Sequence, residues 1–318
     1  MKIGYLFPGQ GAQCVGMGKD LYEKYDLVKE TYKKVKEITG IDVAKISFEG
    51  NEEELGKTQN TQIAILTMSL SILKLLEKNE IKAEVASGLS LGEYTALINS
   101  SAISFEDGVK IVEKRGEYMQ NLVPSGEWAM AAILGMEEQQ VEEVCEKACN
   151  NEENFVVPVN FNCTGQIVVS GNKSGVEEAE TIAKQLGAKK VRILKTSGPF
   201  HTEKLIEASN KLREELKKLE IHQFKNKVIK NIDGTVYTQK DNIKEILAKH
   251  IISPVRFSKG LETMLEMGVD TFIEIGPGKT LSGFVKRMNT DKQINILNIN
   301  SVETLENTIN FIRRLENE

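Results

Sequence analysis

The feature that most constrains this chain is a serine between glycines at the junction of a strand and a helix. Residues 83–87 (AEVAS) form an apolar run typical of a buried strand, and GLSLG, centred on Ser90, follows at residues 88–92. The residues beyond, LGEYTALI, predict a helix. A G-x-S-x-G sequence in this context predicts a nucleophile elbow, a tight turn that exposes the serine hydroxyl. An ordinary glycine-rich turn with a solvated serine is the alternative that spacing alone leaves open.

Further strands and helices alternate along the chain. Strands are predicted at residues 3–7 (IGYLF), 228–232 and 271–275 (TFIEI), and apolar residues recur at helical spacing over residues 63–73. Ser104 with Asp107 predicts a capping box at the start of another helix. Strands that alternate with helices favour an α/β fold with a mostly parallel sheet.

The pattern of predicted elements changes between residues 128 and 194, where their order is β-α-β-β-α-β. This order is that of a ferredoxin-like unit. We therefore predict a small subdomain over residues 125–195, inserted into a large α/β hydrolase-like domain of residues 1–124 and 196–318, with the ligand site in the cleft between them. The predicted strands cover residues 128–133, 155–160, 166–171 and 189–194, and the predicted helices cover 137–149 and 174–187.

Composition excludes several classes of protein. Of the 318 residues 40% are hydrophobic and 27% are charged, which is typical of a soluble globular protein. A net charge of −5 disfavours a nucleic-acid partner, and no apolar run reaches the ~18 residues of a membrane span. We expect a cytoplasmic monomer with neither a nucleic-acid nor a membrane partner, no metal site, and reduced cysteines in the core. The cysteines are Cys14, Cys145, Cys149 and Cys163.

A serine nucleophile needs a base, and the chain has only three histidines. His222 lies in a charged stretch and is expected at the surface. His201 follows Gly198-Pro199-Phe200 and precedes a helix predicted to begin near Thr202, so it is our candidate base. A lone histidine in a loop is more often structural, and that alternative stays open.

Arg115 is predicted to lie on the buried side of its helix, because it follows Val112 by three residues and precedes Met119 by four. A buried guanidinium needs an anion, and its planar fork suits a carboxylate. The carboxylate could belong to a substrate or to a structural Asp or Glu, and the residues alone do not decide between them.

Two glycine-rich segments fail as nucleotide-binding motifs. A phosphate-binding loop that ended at Lys279 and Thr280 would need a glycine where Ile273 stands. A dinucleotide fingerprint that began at Gly9 would need its third glycine where Cys14 stands. We therefore expect no nucleotide cofactor.

Six motifs together resemble those of malonyl-CoA:acyl carrier protein transacylases of bacterial fatty acid synthesis. The resemblance covers nearly the whole chain, and the motifs occur in the order found in that family. They are FPGQGAQ (7–13), GLSLGEY (88–94), RGEYMQ (115–120), NFNCTGQ (160–166), GPFH (198–201) and IGPGKTL (275–281).

This resemblance implies roles for the site residues. Ser90 would carry the acyl group, His201 would be its base, and the backbone amides of Gln10 and Leu91 would form the oxyanion hole. Arg115 would hold the free carboxylate of a malonyl group, which supplies the anion that its position requires.

The resemblance also suggests the residues around the reacting groups. Phe200 resembles the malonyl-selecting form of its loop, and Met119 and Asn160 would line the pocket. The chain departs from the family at Leu89, where many members have His, and at His250, where Gln is common. The residue at the second position would orient the base through its backbone carbonyl, which leaves the role of the His250 side chain in doubt.

The implied activity moves a malonyl group from malonyl-CoA to the phosphopantetheine thiol of holo acyl carrier protein in a ping-pong cycle that supplies fatty acid synthesis. Coenzyme A enters as a thioester substrate, and no metal or redox cofactor is implied. Two alternatives stand beside it: a serine hydrolase of the α/β-hydrolase or patatin type, and a non-catalytic scaffold that binds carrier protein.

Overall fold

The structure is a computed structural model that describes residues 1–195, 198–288, 290–291 and 293–317, with residues 316 and 317 described by their backbone alone. Its strands belong to two separate sheets. The strands are β1 (Ile3–Phe7), β2 (Val85–Gly88), β3 (Trp128–Leu134), β4 (Val156–Cys163), β5 (Gln166–Asn172), β6 (Lys190–Ile193), β7 (Lys227–Val228), β8 (Thr271–Ile275) and β9 (Asn295–Ile299).

The helices surround these sheets, and a short 3₁₀ turn (Glu203–Leu205) precedes one of them. They are α1 (Lys19–Lys24), α2 (Asp26–Thr39), α3 (Val43–Phe48), α4 (Glu52–Gly56), α5 (Thr58–Lys78), α6 (Gly92–Asn99), α7 (Phe105–Asn121), α8 (Glu138–Ala148), α9 (Lys173–Gln185), α10 (Ile206–Lys217), α11 (Ile243–His250), α12 (Phe257–Glu266), α13 (Thr280–Val285) and α14 (Val302–Asn317).

The larger sheet is parallel and, over the described residues, has the strand order β7-β2-β1-β8-β9. Every residue of β1, β2 and β8 is buried, as expected for parallel strands that helices cover on both faces. The prediction of an α/β fold with a mostly parallel sheet is confirmed. The strand predicted at residues 228–232 was wrong in extent, because Lys230 and Thr235 form a turn directly after β7.

The smaller sheet is antiparallel and has the order β4-β5-β3-β6 within the described part of the chain. Helices α8 and α9 pack against it around a separate apolar cluster that includes Ile133, Val144 and Val169. All four of its strands and both helices begin within about two residues of their predicted positions. The predicted end of this unit, at residue 195, adjoins residues 196–197, which lie outside the described residues.

The two units meet along β4. Val255, which follows α11, donates its amide to the carbonyl of Val159 and accepts from the amide of Phe161, at 2.7 and 2.9 Å. The edge of the small sheet is thus hydrogen-bonded to a segment of the large unit. This junction holds β4 beside the residues that follow His250.

Helix α7 begins where the sequence predicts, since the hydroxyl of Ser104 accepts from the amide of Asp107 at 3.1 Å. In a complete capping box the Asp107 carboxylate would accept from the backbone amide of Ser104. Here it accepts from the Ser104 hydroxyl instead. The helix packs against α5 and α2 and buries one face. Arg115 lies on that face and is only 1% exposed.

The structure also bears on membrane-spanning helices and on the burial of the cysteines. None of the helices in the described ranges has both the length and the apolarity to cross a bilayer. The prediction of core positions for the cysteines was wrong for Cys14, which is exposed on the loop after β1, whereas Cys145 and Cys163 are buried and Cys149 is partly so.

Candidate active site

Ser90 occupies the turn between β2 and α6 with a φ of +54°, a conformation uncommon for a residue with a side chain. The two flanking glycines leave no room for side chains. A Cβ on Gly88 would lie 2.0 Å from the carbonyl carbon of Gly92, and a Cβ on Gly92 would lie 2.1 Å from the oxygen of Phe7. The G-x-S-x-G spacing is therefore a steric requirement of this turn.

Asn231 fixes the turn from the side. Its Oδ1 accepts from the Ser90 amide at 2.7 Å, and its Nδ2 donates to the carbonyl of Gly88 at 2.7 Å. The Asn231 amide in turn donates to Glu93 Oε1 at 3.3 Å. A residue far away in the sequence thus stabilises the backbone on both sides of the strained serine.

We expect Gly92→Ala to destabilise the protein by about 3 kcal/mol, because the new methyl group would overlap the Phe7 carbonyl. Urea unfolding followed by circular dichroism measures this. The matched control is Gly283→Ala, since a Cβ on Gly283 in α13 meets nothing within 4 Å. That substitution should be neutral or should stabilise by up to about 1 kcal/mol. Equal stability of the two variants would contradict the steric account of the turn.

His201 lies against the Ser90 hydroxyl and is 4% exposed. Its Nε2 is 2.8 Å from Ser90 Oγ, and its Nδ1 is 3.0 Å from the carbonyl oxygen of His250 and 3.2 Å from that of Ser253. Carbonyl oxygens only accept, so Nδ1 carries the proton and Nε2 is free to accept from the serine. Burial, followed by the nearby His250 and Arg115, holds the pKa of His201 well below its ordinary value.

Arg115 contacts the same hydroxyl. Its Nη2 donates to Ser90 Oγ at 2.9 Å and its Nη1 donates to Gln62 Oε1 at 2.7 Å, while its Nε is buried without an acceptor. No carboxylate of the described residues forms an ion pair with it. The ring of Tyr94 lies below the guanidinium, 5.3 Å away. Burial lowers the pKa of Arg115, although a guanidinium stays charged at neutral pH.

The loop after β1 lies beside the serine turn, because the Leu89 amide donates to the carbonyl of Phe7 at 2.9 Å. Gln10 lies on this loop, and its side chain donates to Thr58 Oγ1 at 3.2 Å. Within the described residues, no acceptor takes a hydrogen bond from the backbone amide of Gln10 or of Leu91. Both amides therefore remain available as donors.

The three residues expected to line the pocket lie on different elements. Met119 is 2% exposed on α7, and its Sδ accepts from Gln62 Nε2 at 3.5 Å. Phe200 is 7% exposed and precedes His201 directly. Asn160 lies in β4, where its Oδ1 is buried without a hydrogen-bond partner in the described part of the chain.

The structure thus brings Ser90, His201 and Arg115 into direct contact and places the His250 carbonyl behind the imidazole. His222 lies apart from them, exposed as predicted, with its Nδ1 3.8 Å from Glu220 Oε1. No group of three potential metal ligands occurs among the described residues. Sequence reasoning missed four residues that hold these side chains in place: Gln62, Glu93, Asn231 and Ser253.

Some of these residues had a signal in the sequence. Gln62 is a polar residue beside the apolar stripe of α5, and Glu93 belongs to the GLSLGEY motif. Asn231 had none, because it lay in a segment predicted as a strand. Ser253 contributes only its carbonyl oxygen, which any residue type could supply.

Comparison with known proteins shows the family to which the chain belongs. A family described as the acyl transferase domain matches residues 4–306. This match covers nearly the whole chain and includes the serine turn, the guanidinium and the imidazole. By class, therefore, the protein is an acyltransferase.

Individual relatives narrow the class. The malonyl CoA-acyl carrier protein transacylase of Bacillus subtilis is 44% identical over 98% of both chains, and that of Staphylococcus aureus is 40% identical over 96% of both. The transacylase of Clostridium perfringens, which has a crystal structure, is 44% identical in sequence. Its structure matches this one with a TM-score of 0.93 over 99% of this chain and 98% of that chain. The chain belongs to the family of malonyl CoA-acyl carrier protein transacylases.

One further solved structure shows a relative with a partner. It contains a type II PKS acyl-carrier protein in complex with its malonyl-transacylase. That transacylase is 32% identical, with a TM-score of 0.92 over 98% of this chain and 100% of its own.

Proposed function

We propose that this chain transfers the malonyl group of malonyl-CoA to the phosphopantetheine thiol of holo acyl carrier protein, through a malonyl ester on Ser90, and so supplies fatty acid synthesis. The observation that carries the proposal is the position of Arg115. Its guanidinium is buried, has no carboxylate partner in the described residues, and donates to the hydroxyl of Ser90.

A buried cation without an anion is costly, since desolvation is not offset by a partner. A substrate carboxylate would supply that partner, and the planar guanidinium suits two parallel hydrogen bonds to it. An acyl group that ends in a carboxylate and reaches Ser90 through its carbonyl carbon must be short. A malonyl group has that form, with one methylene between the two carbonyl carbons.

In the first half of the cycle, His201 Nε2 takes the proton of Ser90 as the oxygen attacks the thioester carbonyl. The bond from carbon to the coenzyme A sulfur then breaks, and His201 returns the proton to that sulfur. Arg115 donates to the serine oxygen and lowers the cost of charge on it. Malonyl-Ser90 and free coenzyme A are the products.

In the second half, the thiol of the carrier protein gives its proton to His201 Nε2 and attacks the ester carbonyl. The ester bond to Ser90 breaks, and the serine oxygen recovers the proton from His201. Throughout the cycle the carbonyls of His250 and Ser253 hold the Nδ1 proton in place, so that the ring accepts and returns protons through Nε2 only.

We also propose that the amides of Gln10 and Leu91 stabilise the tetrahedral oxyanion. Two observations support this: the loop of Gln10 lies beside the serine turn, and no acceptor among the described residues takes either amide. Donors fixed in place before the reaction are effective at this task. Met119, Asn160 and Phe200 are proposed to shape the acyl pocket.

Several structural expectations remain part of the proposal. We infer that the Ser90 turn is a nucleophile elbow, and that residues 125–195 form a ferredoxin-like subdomain within a hydrolase-like domain of residues 1–124 and 196–318. The strand order β4-β5-β3-β6 supports the second inference. We further infer a cytoplasmic monomer that needs no cofactor besides its coenzyme A thioester and acts without a nucleic-acid or membrane partner.

Donor selectivity tests the proposed function. With holo acyl carrier protein as acceptor, kcat/KM for malonyl-CoA should exceed that for acetyl-CoA by roughly 10³-fold, because acetyl leaves the buried guanidinium unpaired. A gel-shift or mass assay of the acylated carrier protein measures both rates. Equal values for the two donors would contradict the assignment of a carboxylate-bearing substrate.

A further inference from the structure

A second histidine lies buried behind His201. The rings of His201 and His250 are 5.1 Å apart between centroids and tilted by 32°. His250 is 1% exposed, although histidine as a residue type has only an intermediate tendency to be buried. Its carbonyl already serves His201, and any residue could supply that carbonyl, so the buried side chain requires a separate explanation.

The His250 side chain faces a buried carboxylate. Its Nδ1 lies 2.9 Å from Glu93 Oε2, within ion-pair distance but outside hydrogen-bond alignment, and both ring nitrogens lack an aligned partner within the described residues. Glu93 is fully buried, and its Oε1 accepts from Tyr237 Oη at 2.7 Å as well as from the Asn231 amide. Glu93 therefore links His250 to the residue that holds the serine turn.

We propose that the side chain of His250 is a positioning residue of this site, which holds the His201 imidazole in its neutral, proton-accepting form while Glu93 holds His250 in place. The proposal rests on the proposed function in one respect, namely that His201 is the base. The proposal goes beyond the proposed function because it assigns a role to the His250 side chain. The role established so far was that of the His250 backbone carbonyl.

Two neighbouring groups add to the effect of burial on the pKa of His201. Burial is the largest cause that lowers the pKa of His201, and the neighbouring His250 comes next, ahead of Arg115. Removal of the His250 ring should therefore raise the pKa of His201 toward its ordinary value. The surrounding groups are Glu93 and Tyr94 on α6, Arg115 on α7, His201 on its loop and Tyr237 after β7.

The test is a histidine NMR titration of the resting protein in the absence of substrate. The three imidazoles are few enough to assign by single substitution. In His250→Gln, which keeps a backbone carbonyl at this position, the pKa of His201 should rise by roughly one unit. The control is His222→Gln, because His222 lies apart from the site and its loss should leave His201 unchanged.

Activity provides the second measurement in the same variant. The form of His201 that accepts a proton is lost as the pH falls through its pKa, so a raised pKa moves the acidic limb of kcat/KM to higher pH. An unmoved His201 titration in a folded His250→Gln protein would overturn the proposal. If that variant fails to fold, His250→Asn serves the same test. If the pKa of His201 rises as expected in the variant but the wild-type protein transfers no malonyl group, only the proposed function is contradicted.

Discussion

Ser90→Ala is expected to lower kcat/KM for malonyl transfer by on the order of 10⁴-fold or more. The substitution removes only the hydroxyl, which meets both His201 Nε2 and Arg115 Nη2. The Ser90 amide keeps its hydrogen bond to Asn231, so the turn itself should persist. Steady-state transfer to holo acyl carrier protein measures the loss.

The control for this prediction is Ser101→Ala. Ser101 also has a positive φ, of 61°, but lies outside the site. An alanine there imposes the same kind of backbone strain without removing a nucleophile, so activity should be unchanged. Loss of activity in both variants, or in neither, would argue against a specific role for the Ser90 hydroxyl.

Arg115→Ala is expected to lower kcat/KM for malonyl-CoA by on the order of 10³-fold, since a buried, hydrogen-bonded charge pair is worth about 4 kcal/mol. Acetyl transfer should fall far less, because acetyl has no carboxylate to place. The ratio of malonyl to acetyl kcat/KM is therefore the decisive quantity. A large fall in both values with an unchanged ratio would contradict the assignment of Arg115 to the substrate carboxylate.

The same variant gives a result on stability. Arg115 has no carboxylate partner in the described part of the chain, so its removal relieves a buried charge, which offsets the loss of its hydrogen bond to Gln62, and the melting temperature should change little. Arg213→Ala is the matched control, because Arg213 forms an exposed ion pair with Glu245 at 2.8 Å. It should leave the donor ratio unchanged. A clear fall in the melting temperature of Arg115→Ala would indicate a structural role instead.

The sequence predicted the strands and helices of this fold well where a segment followed a single hydrophobic pattern. The apolar runs that became β1 and β8 were found at their observed bounds, because parallel strands buried on both faces are apolar throughout. The segment after Val228 was mistaken for a longer strand. Its apolar residues Ile229 and Val236 do pair, but as an isolated bridge across a turn.

The reacting groups could be predicted because each residue is unusual for its position in the sequence. A serine stands between obligatory glycines, an arginine stands on an apolar stripe, and the chain offers few histidines from which to choose. The supporting residues could not be predicted in the same way. Asn231 reaches Ser90 across 141 positions of sequence, and the contact between Glu93 on α6 and His250 on α11 exists only once the fold has brought these two helices together.

The most direct measurement is intact-protein mass spectrometry after brief mixing with malonyl-CoA and no acceptor, followed by addition of holo acyl carrier protein. Wild type is compared with Ser90→Ala. The proposed cycle predicts one malonyl adduct on the wild-type chain, none on the variant, and transfer of that group to the carrier protein when it is added. Rapid release of free malonate would indicate a serine hydrolase, and carrier binding without any adduct would indicate a scaffold. Either result would contradict malonyl transfer through Ser90.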